Sequence, residues 1–139
     1  MIQLSEAQLV IFEVGDNCYA LDIADVHEIL RVTEITPLPQ MPPYMEGVIN
    51  LRGKVLPVLN LRRRLGLDRI PVDQHTRIIL VKSMDKLFGL IVDRVLEVNT
   101  YTEQEMEGPE AAGLNGNILR GIVKKPGAIW LVIDLEHVA

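Results

Sequence analysis

The chain carries one pattern twice, in two registers. A step of 69 residues lays Leu9-Val10-Ile11-Phe12 on Ile78-Ile79-Leu80-Val81, Tyr19-Ala20-Leu21 on Phe88-Gly89-Leu90, and Val26-His27-Glu28-Ile29 on Val95-Leu96-Glu97-Val98. A step of 74 lays Gly47-Val48-Ile49 on Gly121-Ile122-Val123, Gly53 on Gly127, and Val58-Leu59-Asn60-Leu61 on Val132-Ile133-Asp134-Leu135. Five extra residues in one loop account for the change of register, and loops accept insertions at small entropic cost. Each copy, of roughly 60 residues, reads strand, hairpin, short turn, hairpin. A unit of that size buries too little surface to be stable alone, so two small β-barrels sharing a hydrophobic interface are expected. Within one domain over 1–139 the copies are expected at about 9–67 and 77–139, with terminal strands able to swap between barrels.

The local signals agree with a β protein. Leu9 to Val14 is a branched apolar run closed by Gly15-Asp16-Asn17, and Tyr19, Leu21 and Ile23 alternate with Ala20 and Asp22 as a strand with one buried face. Gly47 to Leu51 and Lys54 to Leu61 read as a hairpin turning at Arg52-Gly53. Pro57 cannot donate to a ladder, which predicts an edge or a bulge there. Ile78 to Val81, Leu87 to Val92 and Ala128 to Leu135 complete the strands. Two short helical turns are expected: Ala24 to Leu30, with Val26, Ile29 and Leu30 on one side, and Leu61 to Leu67, stopped by Gly66. Pro37 to Pro43 is expected to run extended as a strap. Asp68 to His75 and Thr102 to Asn117 read as loops.

Composition narrows the function. Apolar residues make up 48%, charged residues 24% and aromatics 4%, which describes a globular protein with an aliphatic core. The net charge of −5 opposes general nucleic-acid binding, which needs a basic face and stacking aromatics. A single cysteine, Cys18, excludes an intrachain disulfide and a thiolate-rich metal site, and in its strand it reads as a packed small hydrophobe. No run reaches the roughly 20 apolar residues of a membrane-spanning helix. The start, Met1-Ile2-Gln3-Leu4-Ser5-Glu6, lacks a basic segment followed by an apolar one. A cytoplasmic protein without direct membrane insertion is expected.

The search for chemistry returns little. His27, His75 and His137 are dispersed, and His27-Glu28 reads as a surface pair rather than a ligand pair. Gly113-Leu114-Asn115-Gly116 has no lysine and no following helix, so it is not a phosphate loop. Glu103, Glu105, Glu107 and Glu110 read as loop solvation, and Arg62-Arg63-Arg64 as the solvated side of a short helix. No catalytic residues, metal or cofactor are expected. What remains is surface for partners. Arg52, at a hairpin tip in Asn50-Leu51-Arg52-Gly53, is either a solvated turn residue or an interface anchor. Val26 and Ile29 match Val95 and Val98 across the repeat; all four are either core or the lining of an apolar groove between barrels, suited to a partner helix.

The stretch Gly47-Val48-Ile49-Asn50-Leu51-Arg52-Gly53-Lys54-Val55-Leu56-Pro57-Val58-Leu59-Asn60-Leu61 resembles the signature of the CheW family, the adaptors of bacterial chemotaxis arrays. The resemblance extends to Tyr19 to Ile23 with Val26, Glu28 and Ile29, to Pro37 and Pro39, to Phe88 to Val95, and to Leu131 to Leu135. It implies two SH3-like five-stranded barrels around a shared core and a non-catalytic scaffold. The implied partners are the regulatory domain of the histidine kinase CheA and the cytoplasmic tip of methyl-accepting chemoreceptors, with recruitment to membrane-associated receptor arrays. Carried over by position, the receptor side comprises Val26, Glu28, Ile29, Arg52, Val95 and Val98, with Glu28 and Arg52 pairing to fix the arginine. Alternatives of the same fold are a coupling protein of a pathway outside motility, or a regulatory domain of a larger kinase or receiver fusion. A small β-barrel enzyme or an oligonucleotide binder using Arg62 to Arg64 stands outside the class.

Overall fold

A computed structural model describes residues 6–112 and 118–138 of the chain. Two sheets hold the described strands. The first has the order β8-β1-β2-β11-β10-β9, from β1 (Glu6–Val14), β2 (Asn17–Asp22), β8 (Arg94–Thr102), β9 (Met106–Glu107), β10 (Leu119–Lys125) and β11 (Ala128–Ile133). The second has the order β3-β6-β7-β5-β4, from β3 (Val26–Arg31), β4 (Met45–Leu51), β5 (Lys54–Asn60), β6 (Arg77–Ser83) and β7 (Lys86–Val92). The boundary between sheets is not the boundary between sequence copies. The first sheet takes β1 and β2 from the first copy and its other strands from the second, joined by the antiparallel pairing of β1 with β8 and the parallel pairing of β2 with β11. The second sheet is joined by the antiparallel pairing of β3 with β6 and the parallel pairing of β5 with β7.

Each sheet curls closed in the same way. After β3 the chain returns through Thr36, which exchanges backbone hydrogen bonds with Val48 of β4 at 2.8 and 2.9 Å. After β8 it returns through β9, which pairs with β10 at Ile122 and Val123. The two-residue β9 makes the first sheet six-stranded where five strands are expected.

Packing explains why the central strands are apolar on both faces. In β1, Leu9 and Ile11 point into the first barrel with Trp130 and Val132, while Phe12 and Val14 point out of it. In β6, Ile78 and Leu80 fill the second barrel with Val58, while Ile79 and Val81 point out. The outward sets of both barrels meet in one shared core that also holds Tyr19, Leu21, Leu59, Phe88, Leu90 and Ile133. The alternation of strand side chains thus feeds two cores at once. The expectation of one buried face for the Tyr19 strand is corrected accordingly, since Tyr19, Ala20 and Leu21 are all buried.

Two short helices seal the shared core at equivalent points of the repeat. Asn60 accepts the Arg63 N–H to cap α1 (Leu61–Arg64), and Asp134 accepts the Glu136 N–H at the start of α2 (Leu135–Val138). Leu61 and Leu135 are buried beneath them. The arginines of α1 are not the solvated face expected. Arg62 lies against Asp93, and Arg64 donates to the His137 and Val138 carbonyls at the end of α2 while covering Tyr44.

Other expectations are corrected by backbone geometry. Only Ile23–Asp25 forms a helical turn within 24–30, and the rest is β3. The 37–43 strap is not continuously extended, because Gln40 turns it with φ of 59°. Strand β5 is internal, yet its pairing with β7 begins only at Val58, so Pro57 faces no ladder on that side and needs no bulge. In the 102–117 loop Glu105 closes a capping box with Thr102 and pairs with Lys125 at 2.8 Å, and Glu107 pairs with Lys124. The 113–116 glycine loop lies outside the described residues.

Gly89 sits where β7 meets β5, and a Cβ there would lie 2.8 Å from Ile78 Cγ2 and 3.5 Å from Val58 Cγ2. Replacing Gly89 with Val should cost about 1–3 kcal/mol by overpacking the second barrel, read as a lowered urea midpoint. Val58→Asp should unfold the protein, since a carboxylate in that fully buried site costs several kcal/mol of the roughly 5–15 that a domain commands. A native far-UV spectrum and melting temperature for Val58→Asp would overturn this packing.

Candidate functional site

The tip of the β4–β5 hairpin is a two-residue turn, Arg52-Gly53, with φ of 50° and 86°. Two consecutive positive φ values define a type I′ turn, whose twist matches the flanking strands. Asn50 Oδ1 accepts the Gly53 N–H at 3.0 Å and holds the turn in place. Arg52, with no freedom of its own in this region, therefore carries backbone strain at an exposed tip.

That conformation sends the Arg52 guanidinium to Glu28 on β3. The Arg52 Nη2 donates to Glu28 Oε1 at 2.6 Å and Nη1 to Oε2 at 3.2 Å, a two-pronged pair. Its side chains are 67% and 29% exposed, so solvent screens the attraction and its value lies in geometry. The hydrogen bond from Arg52, aided by its charge, holds the Glu28 carboxyl below the usual range, and Glu28 raises the guanidinium in return. Residues 24 apart in sequence are thus joined as the resemblance implies.

Strand β3 splits the other predicted residues between its faces. Its pairing with β6 slips between Val26 and Glu28, so Val26 faces Val81 and Ile29 faces Ile79. This bulge puts residues three apart on one side of a strand, the side of the shared core. Glu28, opposite Leu80, lies on the other side. In the matching strand β8, pairing with β1 slips in the same place, and Val95 faces Phe12 while Val98 faces Val10. Val26 and Val95 are half-buried on the shared core, whereas Ile29 and Val98 are 41% and 50% exposed. The reading of all four as core is corrected: the first of each pair packs on the core and the second is exposed. The six residues fall into two sets: the aliphatic patch residues Val26, Ile29, Val95 and Val98 on β3 and β8, and the Glu28–Arg52 pair.

Leu96 is also exposed on β8, at the slipped position, and Ile23 is exposed just before β3. Sequence reading missed both, although exposed aliphatic residues flanking a bulge are the available signal. The remaining candidates stay apart. His27 is exposed on β3, and burial, then the nearby Glu13 and Glu97 carboxylates, push the Cys18 thiol up, which opposes a thiolate nucleophile. Among the described residues no group of three metal-ligating side chains comes together, and no helix is long and apolar enough to cross a membrane.

Comparisons with known proteins agree with this geometry. A family model described as CheW-like domain matches residues 8–139. A probable chemotaxis protein CheW from Rhizobium etli is 37% identical over 94% of this chain and 86% of its own length. The chemotaxis protein CheW of Bacillus subtilis is 35% identical over 94% of this chain and 85% of its own. The crystal structure of the scaffolding protein TtCheW from Thermoanaerobacter tengcongensis superposes with a TM-score of 0.87 at 35% identity, covering 94% of this chain and 90% of that one. A double-barrel fold, a repeat legible in the sequence and relatives this similar along most of both chains lead to one conclusion: the chain belongs to the CheW-like family.

Proposed function

We propose that this protein is a non-catalytic adaptor of chemotaxis signalling, linking the cytoplasmic tips of chemoreceptors to the regulatory domain of a histidine kinase. The observation that carries the reading is the Arg52 side chain, fixed at a strained turn by Glu28, the chain neighbour of the exposed Ile29 on β3. A receptor tip is a helical hairpin, and an exposed aliphatic strip beside an oriented guanidinium suits one apolar helix face with an acidic or carbonyl-rich flank. Val26, Glu28, Ile29, Arg52, Val95 and Val98 form the receptor side, with Asn50, Leu51 and Gly53 shaping the turn that presents Arg52. The work done is geometric: holding receptor and kinase in one assembly at the membrane, with no bond made or broken by this chain.

Titration of a purified receptor cytoplasmic fragment tests the reading. Arg52→Glu should weaken binding by about tenfold or more through loss of an oriented charge while leaving the melting temperature unchanged. Unchanged binding, or an unfolded variant, would remove Arg52 from the receptor side. Glu28→Gln should give a smaller loss, because Arg52 stays but loses its ionic partner.

The pH dependence has a defined sign. A carboxyl held below its ordinary value of 4.5 stays ionised through neutral and mildly acidic pH, so the pair persists there and dissolves only as pH falls through the lowered value. Receptor affinity should therefore be flat from about pH 6 to 8 as far as this pair sets it, falling only at pH values below the ordinary carboxylate range. A midpoint near neutrality would mean that another group governs binding.

A further inference from the structure

The chain crosses between the two sheets at two points that the repeat makes equivalent, and among the described residues only the second is held by an ion pair. The first crossing runs from β2 to β3 through Ile23–Asp25, and the second from β7 to β8 through Asp93. At the second, the Asp93 carboxylate accepts Arg62 Nε at 3.0 and 3.2 Å and the Gly15 N–H at 2.9 Å. The Asp93 N–H donates to the Glu13 carbonyl at 3.0 Å. Arg62 comes from α1, attached to the second sheet, whereas Glu13 and Gly15 belong to the first. Both charged side chains are at most 20% exposed, so little solvent screens the pair.

At the first crossing the repeat puts Ala24 in the place of Asp93 and Glu136 in the place of Arg62. No equivalent ion pair can form. The bond there is local, from the Ala24 N–H to Asp22 Oδ1. An open cleft of about 370 Å³ lies beside it, lined by Asp25, Lys82, Arg120, Asp134 and Glu136. The hollow beside Arg62 and Asp93 is about 100 Å³.

We propose that Asp93 is a positioning residue for the aliphatic patch: clasped by Arg62 and Gly15, it fixes where β8 starts relative to the second barrel and so sets the spacing of Val98 from Ile29. Val95 follows Asp93 by two residues, and its register on β1 begins at that clasp. The clasp then holds the two barrels in one relation at the second crossing. That this spacing matters for receptor docking rests on the function proposed above; the clasp itself does not.

Spin labels at Ile29→Cys and Val98→Cys, in a Cys18→Ser background of the full chain, read the spacing directly by double electron–electron resonance. The unaltered clasp should give one narrow distance distribution. Asp93→Asn keeps the shape but removes the charge, and should broaden the distribution and shift its mean. Arg62→Lys, which retains a cation, should broaden it less. Val132→Ala, a truncation inside the first barrel, should lower the melting temperature without broadening. Receptor-fragment affinity should fall by about fivefold in Asp93→Asn, the scale of coupling carried by a residue outside a contact. Should Asp93→Asn fail to fold, Arg62→Gln takes its place with the same expectations. A lowered melting temperature with an unbroadened distribution would make the clasp merely stabilising and overturn the proposal. A broadened distribution with unchanged receptor affinity would uphold the clasp and remove the docking reading instead.

Discussion

Everything in this molecule depends on strands that are buried on both faces. Two barrels of roughly 60 residues each are too small to hold a core unaided, and the solution is to make the outside of one the inside of a joint. Phe12, Val14, Ile79, Val81, Phe88 and Leu90 stand outward from their own barrels and still lie at most 7% exposed. The barrels are therefore one cooperative body, and surfaces on either side of the seam keep a defined relation. An adaptor needs that property more than it needs any reactive group.

The halves are welded by distant pairings, antiparallel between β1 and β8 and between β3 and β6, and parallel at Val58 with Gly89 and Val132 with Ala20. Such pairings leave no local trace, because strands far apart in the chain need no turn between them. Sequence alone shows two copies and their strands, and it cannot say which strands share a sheet. Hairpins are legible for the opposite reason, as Arg52-Gly53 and Gly15-Asp16 announce them. The 24–30 segment misleads because a β-bulge places Val26 and Ile29 on one face, imitating the spacing of a helical turn. The same bulge recurs in β8, where Val95 and Val98 share a face.

The site was legible to the extent that a motif carried it. The turn chemistry of Asn50 and Gly53 can be read from the sequence, whereas the Glu28–Arg52 pair spans 24 residues and came from the family resemblance. Arg62 shows the limit: within a run of three arginines, nothing local distinguishes one that is four-fifths covered by an ion pair from one in solvent. The copies also differ in a way that gives a near-symmetric molecule a direction. The first barrel turns at Pro126-Gly127, where the second has Arg52-Gly53, so the strained arginine is presented on one barrel only. The two exposed aliphatic strands are thus similar, while the charged turn residue is present on one side only.

Mapping the bound surface residue by residue tests this account most directly. In a titration of the ¹⁵N-labelled protein with a receptor cytoplasmic fragment, amide shifts should move in β3, in β8 and at the Asn50–Gly53 turn. The β10–β11 hairpin on the far side of the repeat should stay unmoved. Shifts confined to that hairpin would contradict the account and place the receptor surface elsewhere on the same fold.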